Sequence, residues 1–266
     1  MSDSFASGDA WSLHVGDCLE HLATLTDASV DAVVTDPPAG IGFMGRAWDS
    51  DKGGRDKWIA WLAERMSACL RVLKPGGHAL VWALPRTSHW TATAIEDAGF
   101  EIRDVHHHIF YTGFPKSLNL SKAIDRKLGA ERQVVGIRTD GCGNTESSIH
   151  KHEGFAASRP RIYAATEAAT EAAAEAEGKG TALKPAVEHW ILARKPILGS
   201  IAETYLKHGT GALNIDACRV GGDQMPVTES DGTFASNNVS MGGHNTGRWP
   251  AHLSLDEHAA MLLGTG

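Results

Sequence analysis

The clearest pattern along the chain is a β-branched and apolar run, Val30-Asp31-Ala32-Val33-Val34-Thr35, that stops at Asp36-Pro37-Pro38. It predicts a parallel-sheet strand buried on both faces. Its end is fixed, because neither proline can donate a ladder hydrogen bond. Upstream, residues 1–10 are small, polar and acidic and are expected to fray. Residues 11–15 read as a short strand, and Leu19, Leu22 and Leu25 follow Asp17 on a helical spacing, with Asp17 as the expected N-cap. Downstream, residues 45–54 are polar and rich in glycine and read as a mobile flap. Residues 55–73 put Trp58, Trp61, Leu62, Met66, Cys69 and Leu70 on one helical face, which makes the tryptophan pair core. Lys74-Pro75-Gly76-Gly77 stops that helix, and residues 78–84 form the next buried strand.

The alternation then continues. A helix runs from Pro85 to about Gly99, a strand spans 101–111, and a turn at 111–119 leads into a basic helix over 120–128. From 129 to 180 the pattern loosens. Residues 164–177 are almost wholly Ala, Thr and Glu without an apolar stripe, which predicts an exposed helix or spacer and no core element. Order returns with a strand over 187–193, a helix over 200–208 and a tight turn at Gly209-Thr210-Gly211. A Gly/Asn/Ser-rich loop over 221–247 and a last helix over 256–263 complete the chain. The expected organisation is a core at 11–128, a variable insertion at 129–180, and a continuation of the core at 181–266.

Composition changes this picture little. Of the 266 residues 42% are hydrophobic and 21% charged, ordinary for a soluble globular protein. No apolar run reaches the roughly 20 residues of a membrane span, and the N-terminus lacks the basic and apolar regions of a signal peptide. Cys18, Cys69, Cys142 and Cys218 are widely spaced and read as reduced thiols of a cytoplasmic protein. The net charge of −7 is unevenly spread. Residues 1–60 hold four Lys/Arg against ten Asp/Glu, whereas residues 103–161 hold ten against six, with five histidines besides. One basic face toward phosphates is compatible with that split. His106-His107-His108 lies on a strand, where neighbours point to opposite faces, so three in a row cannot chelate one ion and no metal site is expected.

The chemistry concentrates at residues 36–44. A rigid loop at a strand's carboxyl end presents the Asp36 carboxylate and proline carbonyls, with Gly40 and Gly42 behind them to let a flat ligand approach. Thr35-Asp36-Pro37-Pro38 resembles the Asp-Pro-Pro-aromatic signature of DNA methyltransferases that modify exocyclic amines, adenine N6 or cytosine N4. The helix, Lys-Pro-Gly-Gly turn and strand that follow, and the Leu-Lys-Pro-Ala and Ala-Arg-Lys-Pro segments at 183–196, are similar to the same family in its bacterial and phage forms, enzymes of the restriction-modification kind. The resemblance implies an α/β fold, a partial Rossmann-like S-adenosylmethionine-dependent methyltransferase sheet with a variable insertion. It further implies double-stranded DNA as substrate and S-adenosyl-L-methionine as methyl donor. Asp36, Pro37 and Pro38 would be catalytic, and Asp17 and Asp36 would lie at the cofactor. The family's aromatic position is Ala39 here, so Phe43 or Trp48 would have to stack on the flipped base, with Phe114 and Lys116 at the pocket edge. Residues 129–180 would contact the target DNA.

Two family segments have no counterpart: a His-Pro-Thr-x-Lys-Pro-like stretch and a strand ending in Asp-Pro-Phe-x-Gly-x-Gly. The first expectation is therefore an amino-methyltransferase, N6-adenine before N4-cytosine, with the glycine-rich cofactor motif on a second chain or a missing C-terminal segment. A non-catalytic DNA-binding module of the same descent and an unrelated α/β enzyme using Asp36 are the alternatives.

Overall fold

The computed structural model describes residues 5–111, 113, 117–139, 162–219 and 250–264. It contains two compact units, Met1–Tyr111 with Ala186–Gly266, and Thr112–Pro185. At the start of the first unit, β1 (Ala6–Gly8) pairs antiparallel with β2 (Trp11–Leu13), so part of the segment expected to fray is held in a hairpin. Asp17 caps α1 (Cys18–Thr24), its carboxylate accepting from the Leu19 N–H at 2.8 Å. Then come β3 (Val30–Thr35), α2 (Arg55–Val72), β4 (Leu73–Ala83), α3 (Ser88–Asp97) and β5 (Glu101–Ile109). The Lys-Pro-Gly-Gly segment ends α2 as expected, but it is absorbed into β4 as an irregularity: Val30 pairs with Leu73 and Ala32 with His78. Gly76 makes that possible, with φ +75° and no room for a side chain, since a Cβ there would come within 2.9 Å of Gly211 Cα and Thr204 Cγ2.

The second unit, taken by itself, holds α4 (Leu120–Leu128), the antiparallel ribbon of β6 (Val134–Thr139) and β7 (Ile162–Thr166), and α5 (Glu171–Glu175). Asn119 caps α4 and Gly129, at φ +69°, closes it. A buried ionic knot ties the unit together. The Asp125 carboxylate, 1% exposed, accepts from Arg132 Nη1 at 2.6 Å, the Ala169 N–H at 3.0 Å and Thr170 Oγ1 at 2.8 Å. Burial pushes its pKa up, but those three donors outweigh burial and hold it below the ordinary carboxylate range. The Ala/Thr/Glu stretch departs from expectation. Its first residues belong to β7, and Ala173 and Ala176 are buried at 0% and 4% exposure. Alanines three apart make a close-packing stripe that a search for large apolar residues passes over.

The first unit resumes with β8 (Val187–Arg194), α6 (Ile201–His208), β9 (Leu253–Leu255) and α7 (Glu257–Gly264). Re-entry occurs beside the exit: the Phe110 N–H donates to the Ala186 carbonyl at 3.1 Å. Ser200 and Glu203 form a reciprocal capping box at the start of α6. Gly209-Thr210-Gly211 is a tight turn as expected, and Thr210 Oγ1 donates to the Pro75 carbonyl at 2.5 Å.

The five-stranded sheet has the order β3-β4-β8-β5-β9. β3 is parallel to β4 and β5 to β9, whereas β8 runs antiparallel to both β4 and β5 and separates them. β3, β4, β5 and β9 therefore all end on one edge of the sheet, with α2 joining β3 to β4 and α3 joining β4 to β5 as helical crossovers, which is the Rossmann-like part of the architecture. One face carries the core. Ala79, Val81, Ala83, Ile191 and Ala193 pack against Trp58, Ile59, Leu62 and Met66 of α2 and Ala94 and Ile95 of α3. On the opposite face, Leu80, Trp82, Trp190 and Leu192 are only half-buried.

This arrangement corrects one expectation. β3 is not buried on both faces: it is the edge strand, and among the described residues only β4 pairs with it. Val33 packs into the core while Val34, on the other face, is 70% exposed. An all-apolar run specifies a strand that needs cover on both sides. In the described residues it has cover on one.

Candidate active site

Asp36 follows β3 directly, on the edge where the parallel strands end and where open α/β sheets bind ligands. Its side chain is exposed, and Pro37, Pro38 and Ala39 are half-buried behind it. The loop beyond is built, not slack. Gly40 takes φ +71° and lies with its α-carbon against the indole of Trp58, where a Cβ would come within 2.5 Å of Nε1. Thr87, buried at the start of α3, donates its hydroxyl to the Ala39 carbonyl at 3.3 Å. Residues 43–45 and 47–49 form two 3₁₀ turns. They bring the Asp49 carboxylate, 1% exposed, back onto the Gly40 N–H at 3.1 Å and the Phe43 N–H at 2.7 Å. The Asp49 carbonyl takes the Gly42 N–H at 2.6 Å. The first half of the stretch expected to be a flap is thus a clasp anchored by a buried acid.

Neighbouring strands shape the electrostatics of this edge. Ala83 pairs with His189, and His108 with Glu188, so β8 delivers Glu188 beside the ends of β4 and β5. Partial desolvation at the loop, despite its exposure, raises the Asp36 pKa above the ordinary aspartate value, and the Glu188 charge raises it further. The Glu188 carboxylate faces His108 Nδ1 at 3.7 Å. The three consecutive histidines divide as strand geometry requires. His106 Nε2 meets Ser254 Oγ at 3.1 Å, while the His107 ring lies 4.9 Å from that of His189 on the other side of β5. Burial lowers the pKa of His106 and of His189. Asp256 closes the edge, accepting from the Tyr111 N–H at 2.8 Å and the Ala259 N–H at 2.7 Å. Among the described residues no group of three His, Cys, Asp or Glu side chains is placed to hold a metal.

The structure brings Asp36, Pro37, Pro38, Ala39 and Phe43 together on one loop, with Phe43 39% exposed. Trp48 is on the second 3₁₀ turn and 59% exposed. Asp17 is the N-cap of α1. Phe114 and Lys116 lie outside the described residues. Three residues were missed from sequence: Asp49, Thr87 and Glu188. Asp49 had a legible signal, an acid seven and nine residues after two glycines whose N–H groups need acceptors; Thr87 and Glu188 reach the loop only through tertiary pairing.

Residues 30–124 match the model of the DNA methylase family of N6 and N4 amino-methyltransferases. The matched segment takes in β3, the Asp-Pro-Pro loop, α2, β4, α3 and β5. More particularly, the chain is similar to Type II methyltransferase M.BamHI of Bacillus amyloliquefaciens, at 32% identity over 78 residues, and to Type II methyltransferase M.BglII of Bacillus subtilis, at 30% over 102 residues. Those alignments cover 29% and 38% of this chain but only 18% and 25% of the relatives. Among solved structures, the cytosine-N4-specific PvuII DNA methyltransferase matches with a TM-score of 0.38 at 14% identity, over 76% of this chain and 56% of that one. The M1.HpyAVI complex with S-adenosylmethionine matches with a TM-score of 0.30 at 14% identity, over 69% and 55%. Among the described residues no helix is long and apolar enough to cross a membrane.

Proposed function

We propose that this chain is the catalytic part of a site-specific DNA amino-methyltransferase, acting on adenine N6. The observation that carries the reading is Asp36: a solvent-facing carboxylate at the tip of β3, backed by two prolines, inside the segment that matches DNA methylases. An exocyclic amine is a weak nucleophile because its lone pair is drawn into the ring. Hydrogen bonds from its two N–H groups to the Asp36 carboxylate and a Pro37 or Pro38 carbonyl favour a pyramidal nitrogen and free that lone pair. S-Adenosylmethionine, when bound, supplies the electrophilic methyl group. Asp36, its pKa raised, is then suited to take the proton that the methylated nitrogen must lose. Phe43 and Trp48 are the aromatic faces available to a flipped base in place of Ala39.

The chain's own contribution to the cofactor site is Asp36, with Asp17 toward the adenosine. A glycine-rich strand end that would pass beneath the methionine part is absent from the sequence. We assign it to a further polypeptide segment, in a second chain or in a longer form of this one, added alongside β3. The edge position of β3, paired only with β4 among the described residues, and the exposed Val34 support that addition.

The test is transfer of labelled methyl to duplex DNA by the chain with and without the added segment, comparing wild type with Asp36→Ala. Loss of at least about a hundredfold in rate is expected for the variant; activity that survives the substitution rules out the role given to Asp36. Digestion of the product to nucleosides decides the acceptor, and N4-methylcytosine would reverse the choice of adenine.

A further inference from the structure

We propose that Asp49 is the positioning residue of the catalytic loop, its buried carboxylate setting the turn at residues 40–43 that holds the proline carbonyls and Phe43 in place for a nucleobase. The proposal rests on reading the Asp36 loop as the catalytic one.

A buried carboxylate must be neutralised or fully hydrogen-bonded. Asp49, 1% exposed, finds its side-chain donors at Gly40 and Phe43, with N–H to oxygen distances of 3.1 and 2.7 Å. Its own carbonyl accepts from Gly42. All three donors lie within the six residues after Pro37-Pro38, so the acid holds the loop to itself and not to the sheet. Gly40 and Gly42 adopt φ of +71° and +62°, and the N–H groups of Gly40, Gly42 and Phe43 are turned inward toward the carboxylate and carbonyl of the one residue Asp49. The other side of the loop is pinned by Thr87 on the Ala39 carbonyl and by the Trp58 indole beneath Gly40. Pro37 and Pro38 are therefore fixed from both ends, by β3 before them and by this clasp after them. Phe43 hangs on the clasp directly, through its own N–H. An aromatic displaced four residues from the family position needs such a device to be presented reproducibly.

Asp49→Asn is the informative variant. It keeps the shape and one acceptor but turns an N–H₂ toward either Gly40 or Phe43. Loss of one charge-assisted bond corresponds to about tenfold or more in local opening. Amide hydrogen exchange at Gly40 and Phe43 is expected to accelerate by about that factor, with Val33 and Val81 in the sheet unchanged. Methyl transfer should fall by a similar factor in kcat, with KM for S-adenosylmethionine within about twofold. Asp51→Asn, which alters an exposed turn acceptor for Gly53, is the control expected to change neither. Should Asp49→Asn fail to fold, Thr87→Val removes the weaker hold on Ala39 and is expected to accelerate exchange at Gly40 by a smaller factor. Unchanged exchange at Gly40 and Phe43 overturns the clasp. Faster exchange with kcat intact overturns its role in positioning. A wild-type protein that transfers no methyl under any condition counts against the catalytic reading, and the exchange data then decide the clasp alone.

Discussion

Gly40→Ala offers the sharpest stability test of how the catalytic loop is seated. Two separable costs follow from the structure. An alanine at φ +71° occupies the left-handed region, at roughly 1–2 kcal/mol. Its Cβ would also lie 2.5 Å from Trp58 Nε1 and 2.7 Å from Cδ1. Trp58 cannot step aside easily, being 1% exposed with its ring 6.4 Å from Trp61 and 5.9 Å from Trp90. Overpacking of that kind costs about 1–3 kcal/mol. The sum, about 2–5 kcal/mol, is a large share of the roughly 5–15 kcal/mol by which domains are stable. Gly42→Ala is the built-in comparison: φ is +62°, but nothing lies within 4 Å of the added methyl, so only the conformational cost applies. Urea unfolding followed by the fluorescence of the tryptophan cluster measures both. Gly40→Ala should be the more destabilising by about 1–3 kcal/mol. Equal losses in the two variants would mean that Trp58 does not underlie the loop, and the seating described here would be wrong.

Other outcomes follow from the titrating groups. A carboxyl whose pKa is raised by folding stabilises the folded state below the unfolded value and loses that contribution as pH rises through the folded value. Asp36→Asn should therefore raise the urea midpoint at pH 7 and give no gain below about pH 3.9. Glu188→Gln should lower the Asp36 titration observed by carbon NMR; no movement would show that Glu188 does not act on it. Asp125 has the opposite sign: its lowered pKa stabilises above the unfolded value, and that contribution is lost as pH falls through the folded one. Amide protection at Ala169 should accordingly persist at pH 5 and collapse on further acidification, but in Asp125→Asn should be reduced at both. Burial, with Cys18 nearby, pushes the Cys69 thiol up to about 11, so a thiol reagent at pH 8 should modify exposed Cys18 and leave Cys69 largely intact.

What was legible in the sequence were the local signals. The spacing of Trp58, Leu62 and Met66, the Asp17 cap, and the proline stop after Thr35 each depend on neighbours within a few residues, and each appears in the structure where expected. The misreadings share a different cause. Whether Val34 is covered depends on what lies beside β3, which no local pattern encodes. The pairing of β1 with β2 rescues a segment whose composition alone suggests fraying. In the candidate site, Asp36 was visible because prolines and a family motif frame it. Asp49 looked like one more acid in a glycine-rich stretch until two 3₁₀ turns folded it beneath the residues it serves. Glu188 comes from a strand more than 150 positions downstream, and only the register of β8 reveals it.

The placement of β8 has a consequence for how the molecule is assembled. β4 and β5 leave a gap that residues 187–194 fill, so a nascent chain carries two bare strand edges until the ribosome has passed the entire second unit. The 3.1 Å contact between Phe110 and Ala186 eases the problem, since the intervening segment departs and returns at a single point. To the sheet it is a closed loop whose length costs little entropy beyond its closure. Replacing residues 112–185 by a short glycine-serine bridge should leave a soluble first unit, whereas truncation before Val187 should yield an aggregating one.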